Sequence, residues 1–211
     1  MLLLIALAMT LRLDYGTDRA LAPEWRVVSY RGRTHYEPQR DSSAAWLRAE
    51  AKGKNSALFW PLDRDVRGAT LSWKWRALRH PVGADTRVRS RDDRTAAVFI
   101  MVHRSILPWR TKGLLYQWAQ GEAPGRWQNS PYASGIKVIT LRNSSAIGEW
   151  HSEERDLGAD LAAAFGTAPE RVEAIGVLCD ADNTGDVASA DIGVLQLTWG
   201  VITAPPPPPR P

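Results

Sequence analysis

The stretch ATLSWKWRAL, residues 69–78, decides the fold class. Leu71, Trp73 and Trp75 alternate with polar side chains along it. In an extended strand, successive side chains point to opposite faces, so this pattern predicts a strand with one buried and one solvated face. We expect Trp73 and Trp75 to be core residues, because Leu71 continues their apolar stripe.

Other segments of strand character lie on both sides of this stretch, separated by turns. Residues 94–104, RTAAVFIMVHR, are apolar almost without alternation, which is typical of a central strand covered on both faces. The other predicted strands are residues 24–30, 44–51, 56–62, 113–120, 135–142, 172–180 and 190–200. Many short strands without alternating long helices predict an antiparallel β-sandwich of jelly-roll type.

One segment has helical periodicity. Leucine and phenylalanine side chains recur at every fourth position within residues 154–166, ERDLGADLAAAFG. Asp156 suits the N-cap position, and Gly166 follows the last apolar residue. The predicted fold is therefore all-β, with one short helix of about two to three turns.

The two ends of the chain differ in composition from its middle. Residues 1–22 begin with MLLLIALAM, which is too short to span a bilayer and is similar to the apolar part of a secretory signal, although no Lys or Arg precedes it. A buried N-terminal strand is the alternative. Residues 23–203 form the predicted β-sandwich domain, and residues 204–211 form a proline-rich tail. We expect a periplasmic or secreted protein without a transmembrane span.

The composition narrows the classes of function. The net charge of +4 is spread along the chain without a run of five like charges, so no nucleic-acid partner is expected. Cys179 is the single cysteine, and its apolar neighbours predict a buried thiol. Ten tryptophans stand against three phenylalanines. Because indole combines an apolar ring with one donor, we expect some tryptophans at a binding surface.

Several fragments, taken together, resemble one bacterial family. They are WKWRAL (73–78), RDDRTAAVFIMV (91–102), LLYQWA (114–119), WHSEERDLGADLAAAFG (150–166) and AIGVLCDADNTG (174–185). Their order and spacing are similar to those of domain of unknown function 3047, over residues 25–199. The resemblance implies one domain that is often exported. It implies no catalytic residues, because no activity is established for that family.

The stretch DADNTGDVASAD, residues 180–191, matches the spacing of a twelve-residue calcium loop. Such loops place oxygen ligands at positions one, three, five, seven and twelve, with glycine at six. The matching residues are Asp180, Asp182, Thr184, Asp186 and Asp191, with Gly185 at position six. Calcium is thus the one candidate cofactor. Strand-like segments flank the stretch where an EF-hand has helices, so a polar β-hairpin connection is the alternative.

Aromatic side chains are the main candidates for ligand contact. Trp109 and Trp127 lie in loops rich in proline and glycine, where binding residues concentrate. Tyr116 and Trp118 share one strand face, which suits either a platform for sugar rings or the core. The predicted ligand-binding residues are Trp109, Tyr116, Trp118, Trp127, Arg76 and His151.

These features favour a non-catalytic domain that binds carbohydrate or another cell-envelope polymer. The sequence has no serine-hydrolase, phosphate-loop or zinc motif. One alternative is an enzyme that acts on polysaccharide with paired carboxyls, which should face each other across a cleft and lie about 5 to 10 Å apart. Its candidate acids are Asp92, Asp93, Glu154, Asp180 and Asp182. The other alternative is an envelope structural or assembly protein that uses the proline tail as a tether.

Overall fold

The structure, a computed structural model, describes residues 9–107, 110–143 and 147–200, most of which form β-strands. In chain order the strands are β1 (Met9–Leu13), β2 (Gly16–Thr17), β3 (Ala20–Leu21), β4 (Arg26–Arg31), β5 (His35–Arg40), β6 (Ala45–Lys52), β7 (Asn55–Arg64), β8 (Ala69–Arg79), β9 (Arg94–His103), β10 (Lys112–Trp118), β11 (Trp127–Asn129), β12 (Ile136–Arg142), β13 (His151–Asp156), β14 (Val172–Asp180), β15 (Val187–Gly193) and β16 (Leu195–Trp199). The α-helix of these segments is α1 (Leu157–Phe165), and a short 3-10 turn spans Arg89–Arg91.

Two seven-stranded sheets pack face to face. The first has the order β1–β16–β8–β15–β6–β5. Its seventh strand, β13, also pairs with β8 but lies outside this order. The second has the order β11–β12–β10–β9–β14–β7–β4. Strand pairs among the described residues are antiparallel except β10 and β12, which run parallel. The fold is therefore the predicted β-sandwich of jelly-roll type.

The core between the sheets holds the apolar stripe of β8. Leu71, Trp73 and Trp75 are buried, as the alternation predicts. The Trp73 ring lies 5.4 Å from that of Trp75 and 5.5 Å from that of Tyr116, and Trp75 lies 5.7 Å from Trp118. Tyr116 and Trp118 are thus core residues of β10. Of the two interpretations that the sequence allowed, the core is confirmed and the surface platform for sugar rings is wrong.

The helix begins at Leu157, directly after its predicted N-cap residue. The polar residues of β13, including Glu154, pair with β8 as an edge strand. The Asp156 carboxylate then accepts the backbone N–H of Ala159, and Gly166 ends the helix at a φ of 85°. Both predicted cap residues are confirmed. No helix in the described part of the chain is long and apolar enough to cross a membrane.

The folded domain starts before the boundary at residue 23 that the sequence indicates. Strand β1 pairs with β16, and both Leu13 and Tyr15 are buried. Tyr15 stacks on Trp25 with 5.0 Å between the ring centroids. A short, half-exposed edge strand carries too little apolar pattern to be recognised in sequence. The first eight residues and the proline tail lie outside the described residues.

The stretch 180–191 connects the two sheets. Strand β14 ends at Asp180 in the second sheet, and β15 begins at Val187 in the first. The connection is therefore a crossover between sheets, and the predicted β-hairpin is wrong. The apolar pattern of a strand shows that it is buried, but it does not identify the sheet that the strand joins.

Candidate functional site

A groove of about 650 Å³ crosses the outer face of the second sheet. Its floor is apolar and includes Phe59, Phe99, Met101, Leu115 and Leu178, contributed by four adjacent strands. The rings of Phe59 and Phe99 lie 5.7 Å apart. Strand β9 thus has core residues on one face and groove residues on the other, which explains its continuous apolar sequence.

Two glycines leave room for these phenylalanine rings. A Cβ atom on Gly113 would lie 2.4 Å from Cε2 of Phe99, and one on Gly176 would lie 2.6 Å from Cδ1 of Phe59. Any larger residue at either position would displace a ring. The two phenylalanine rings therefore lie against the backbone of the sheet at these glycines.

Buried charged residues close one end of the groove. Arg94 begins β9 and pairs in register with Asp180 at the end of β14, while Asp92 precedes the strand. All three residues are buried and line the groove. The Arg94 Nη2 donates to Oδ1 of Asp92 at 2.5 Å, and its Nε has no acceptor among the described residues. This polar end therefore offers acceptors beside an unpaired donor.

Burial shifts the pKa of two of these acids. Loss of solvent raises the pKa of Asp180 well above its ordinary value of 3.8, Arg94 opposes this rise, and the nearby Asp182 adds to it. Loss of solvent also raises the pKa of Asp92, again opposed by Arg94. Asp180 consequently keeps its proton to a higher pH than an ordinary aspartate does.

Asp93 holds the connection between the sheets in place. Its carboxylate accepts the backbone N–H groups of Asn183 at 2.9 Å and Thr184 at 2.7 Å, and also the Thr184 hydroxyl. The Asn183 amide donates to the Tyr132 hydroxyl at 2.6 Å, and that hydroxyl donates to the carbonyl of Arg89 at 2.8 Å. The loop before β12 is thereby tied to the polar end of the groove.

The five residues predicted as calcium ligands do not surround one point. Asp191 is fully buried in the first sheet and accepts hydrogen bonds from Arg48 and Arg76. Asp186 pairs with Arg79 at 2.9 Å. The predicted twelve-residue ligand set is wrong, because β15 begins before Asp191 and carries it away from the turn.

Three carboxyl groups still converge at the polar end. Oxygens of Asp93, Asp180 and Asp182 lie within 4.8 Å of one another. Two of these residues belong to the predicted calcium set, whereas Asp93 was expected only as a catalytic acid. Sequence spacing cannot identify such a group, because Asp93 comes from a distant segment of the chain. Calcium at this point stays a prediction.

A second cleft, of about 700 Å³, lies on the outer face of the first sheet. Trp46 and Trp150 line it, with their ring centroids 6.3 Å apart and their planes nearly perpendicular. The guanidinium carbon of Arg76 lies 4.8 Å from the Trp150 ring centroid. Arg76, predicted as a ligand contact, is therefore placed at a cleft wall.

The remaining predicted ligand contacts are scattered. His151 lies on β13 with its ring 5.2 Å from the core residue Trp118. Trp127 is 40% exposed and lines neither cleft, and Trp109 lies outside the described residues. Sequence reasoning missed Trp150, although its position beside Gly148 is the same loop signal that marked Trp109 and Trp127.

Comparison with protein families identifies the chain. The family model described as Protein of unknown function (DUF3047) matches residues 23–196. The chain belongs to this family. The match confirms the resemblance seen in the fragments, and the family description names no activity. No curated protein matches the chain.

Solved structures similar to this member of the family are β-rich proteins. They include endoglucanase cel12A from Rhodothermus marinus, with 13% identity, a TM-score of 0.49 and coverage of 91% of this chain and 99% of that chain. A xylan-binding module, CBM15, has 10% identity, a TM-score of 0.44 and coverage of 90% and 96%. A family 29 carbohydrate-binding module from Piromyces equi has 8% identity, a TM-score of 0.40 and coverage of 94% and 95%. At these values the similarity is no argument about what the chain binds.

Proposed function

We propose that this protein is a non-catalytic domain that binds a carbohydrate polymer of the cell envelope in the groove of the second sheet. The observation that carries the proposal is the buried cluster of Asp92, Arg94 and Asp180 at the end of an apolar floor. Sugars present apolar C–H faces together with hydroxyls that both donate and accept. An apolar floor ending in a few convergent polar groups suits such a ligand.

Aromatic residues at the rim of the groove support the same ligand class. Tyr30 on β4 and Tyr132 before β12 both line the groove and are exposed. The guanidinium carbon of Arg89 lies 4.7 Å from the Tyr132 ring centroid, so that ring is already partly engaged. Tyr30 is therefore the better candidate for stacking against a sugar.

Affinity electrophoresis in gels containing soluble polysaccharides tests the groove. We expect Tyr30→Ala to weaken binding by about twofold to tenfold, since an aromatic contact contributes roughly 0.5 to 1.5 kcal/mol. Trp127→Ala is the control, because it also removes an exposed ring but lies outside the groove. The proposal fails if the wild-type protein is retarded by no polysaccharide, or if both variants bind as the wild type does.

One observation favours a second candidate, an enzyme that acts on polysaccharide. Asp180 has a raised pKa, and its carboxyl lies close to that of Asp182. Glycoside hydrolysis uses a pair of carboxyl groups, one of which has a raised pKa and acts as the acid. These acids share one end of the groove and do not face each other across it, and Glu154 lines the other cleft, so we rank binding first. Release of reducing ends by the wild type, with none from Asp180→Asn, would reverse that order.

Calcium at the polar end is part of this proposal. The converging oxygens of Asp93, Asp180 and Asp182 support it, because calcium is bound by oxygen ligands. Calcium added to chelator-treated protein should raise the melting temperature of the wild type, and magnesium should not. Asp182→Asn should remove the effect, whereas an equal rise in this variant would contradict a site at the polar end.

Export to the periplasm or the medium is also proposed, on the basis of the apolar N-terminal run. Cell fractionation with an antibody against the domain measures it. Deleting residues 204–211 tests the alternative role of the proline tail as a tether. A change in location without a change in melting temperature would favour the structural or assembly function.

A further inference from the structure

We propose a second sugar-binding site in the cleft of the first sheet, with Trp150 as its stacking surface. This cleft lies on the opposite face of the sandwich from the groove, and no residue lines both. Its ligand would be a neutral, hydroxyl-rich glycan. The site is independent of whether the groove binds sugar.

The register of the first sheet builds the floor of this cleft from polar side chains. Ser72 on β8 pairs with Gln196 on β16 on one side and with Glu154 on β13 on the other. Arg12 on β1 pairs in turn with Gln196. All four residues line the cleft. A hydroxyl, an amide, a carboxylate and a guanidinium thus form a row of donors and acceptors across four strands.

Gly193 keeps the cleft open. It pairs with Trp46 on β6, at the point where β15 ends and the chain continues into β16. A Cβ atom at Gly193 would lie 3.2 Å from the carbonyl oxygen of Lys74. The absence of a side chain at this position therefore leaves space between Trp46 and Lys74, both of which line the cleft.

One indole N–H group at the cleft lacks an acceptor. Trp46 lines the cleft, and its Nε1 atom is buried without a partner among the described residues. Buried donors are rarely left unpaired in folded proteins. A hydroxyl oxygen of a ligand in the cleft would supply the missing acceptor.

The Trp150 ring is both held in place and accessible. Arg76, which lies against it, is anchored to the buried Asp191 at 2.8 Å from Nε and 2.7 Å from Nη2. Trp46 contacts it edge-on, and the Trp150 side chain is still 41% exposed. A preorganised aromatic surface loses little conformational entropy when a ligand stacks on it.

The charges of the cleft favour a neutral ligand. Arg12 and Lys74 are positive, whereas Asp41 and Glu154 are negative. Glu153, which also lines the cleft, pairs with Arg142, and Arg76 shares the Asp191 carboxylate with Arg48. An acidic or a basic polymer would meet charges of its own sign in this cleft, which opposes binding. A neutral glycan can instead form hydrogen bonds with Arg12, Lys74, Asp41 and Glu154.

Isothermal titration calorimetry with cellohexaose, xylohexaose and chitohexaose tests the second site. Trp150→Ala should lower the affinity of the cleft at least tenfold, and Trp150→Tyr should restore most of it. Trp127→Ala is the matched control, because Trp127 is 40% exposed and Trp150 is 41% exposed. Circular dichroism melting shows that each variant is folded.

The outcomes separate this site from the groove. Loss of binding in Trp150→Ala with no change in Tyr30→Ala supports the cleft and overturns the groove. The reverse result overturns the cleft and supports the groove. A fall in stoichiometry in each single variant supports both sites. A wild type that binds none of the three hexasaccharides overturns the cleft, whereas the groove is tested by the polysaccharide gels.

Discussion

Asp191 occupies the twelfth position of a calcium-like spacing, yet its carboxylate binds Arg48 and Arg76 inside a sheet. Spacing along the chain identifies metal ligands only when the intervening residues coil around one point. In this protein a strand begins at Val187, and its extended backbone moves each later side chain away. The residue types were sound evidence of a polar connection, but not of a ligand set.

Replacement of Asp191 tests its structural role. Asp191→Asn leaves two guanidinium groups without their carboxylate, so we expect the free energy of unfolding to fall by about 2 kcal/mol. This is less than for a fully buried pair, because Arg48 and Arg76 keep some solvent contact. Urea unfolding measures the change. Asp186→Asn, which breaks an exposed pair with Arg79, should change stability much less than Asp191→Asn does.

Asp180 should make stability depend on pH. In the unfolded chain its carboxyl has the ordinary pKa of 3.8, and in the folded protein burial raises that pKa. Above the unfolded value the folded state therefore holds more protons, and the free energy of unfolding falls as the pH rises through the folded pKa. Asp180→Asn cannot ionise and should lack this loss.

Urea midpoints between roughly pH 4 and pH 7 measure this difference. The stability of the wild type relative to Asp180→Asn should decrease steadily as the pH rises. Two parallel curves would show that Asp180 ionises in the folded protein as it does in the unfolded chain.

At the scale of elements, strands with a strong apolar pattern were predicted and polar edge strands were not. Strand β8 lies close to its predicted bounds, because its alternation reflects one core face and one solvent face. Strand β5 contains Pro38 and mostly polar residues, and β13 has the sequence HSEERD. Each lies at a sheet edge, where hydrogen bonding to a single neighbour suffices and few side chains need to be apolar.

The cap of α1 is a test at this scale. The Asp156 carboxylate accepts the N–H of Ala159 at 2.9 Å, so Asp156→Ala should lower the free energy of unfolding by about 1 kcal/mol. Asp156→Asn keeps an accepting oxygen and should lose only a few tenths. Equal losses in the two variants, measured in urea, would point to the charge of Asp156 instead of its hydrogen bond.

At the scale of the whole molecule, sequence predicted a sandwich but neither its topology nor its clefts. The polar end of the groove joins Asp92 and Arg94 to Asp180, and the second cleft joins Trp46 to Trp150. Both sites depend on strand order, which is set by pairings between distant segments. Local sequence patterns do not predict those pairings. The sequence therefore indicated which residue types the sites contain, but not which residues come together.

A truncation tests where the domain begins. A chain that starts at residue 23 loses β1 together with the buried side chains of Leu13 and Tyr15, and it exposes the edge of β16. We expect a melting temperature lower by at least about 10 °C or an insoluble product, since each large buried side chain contributes roughly 1.5 to 3 kcal/mol. Deletion of residues 204–211 is the control and should leave the melting temperature unchanged.

The crossover between β14 and β15 also bears on how this protein can evolve. Asp180, at one end of the crossover, belongs to the groove, and Asp191, a few residues beyond its other end, anchors Arg76 at the opposite cleft. Inserting or deleting one residue between them would turn every side chain of β15 to the other face if the pairing with β6 shifted to follow. We therefore expect selection to remove changes of length at this point, because they would disrupt both surfaces. Changes of length between β9 and β10 affect neither Asp180 nor Asp191.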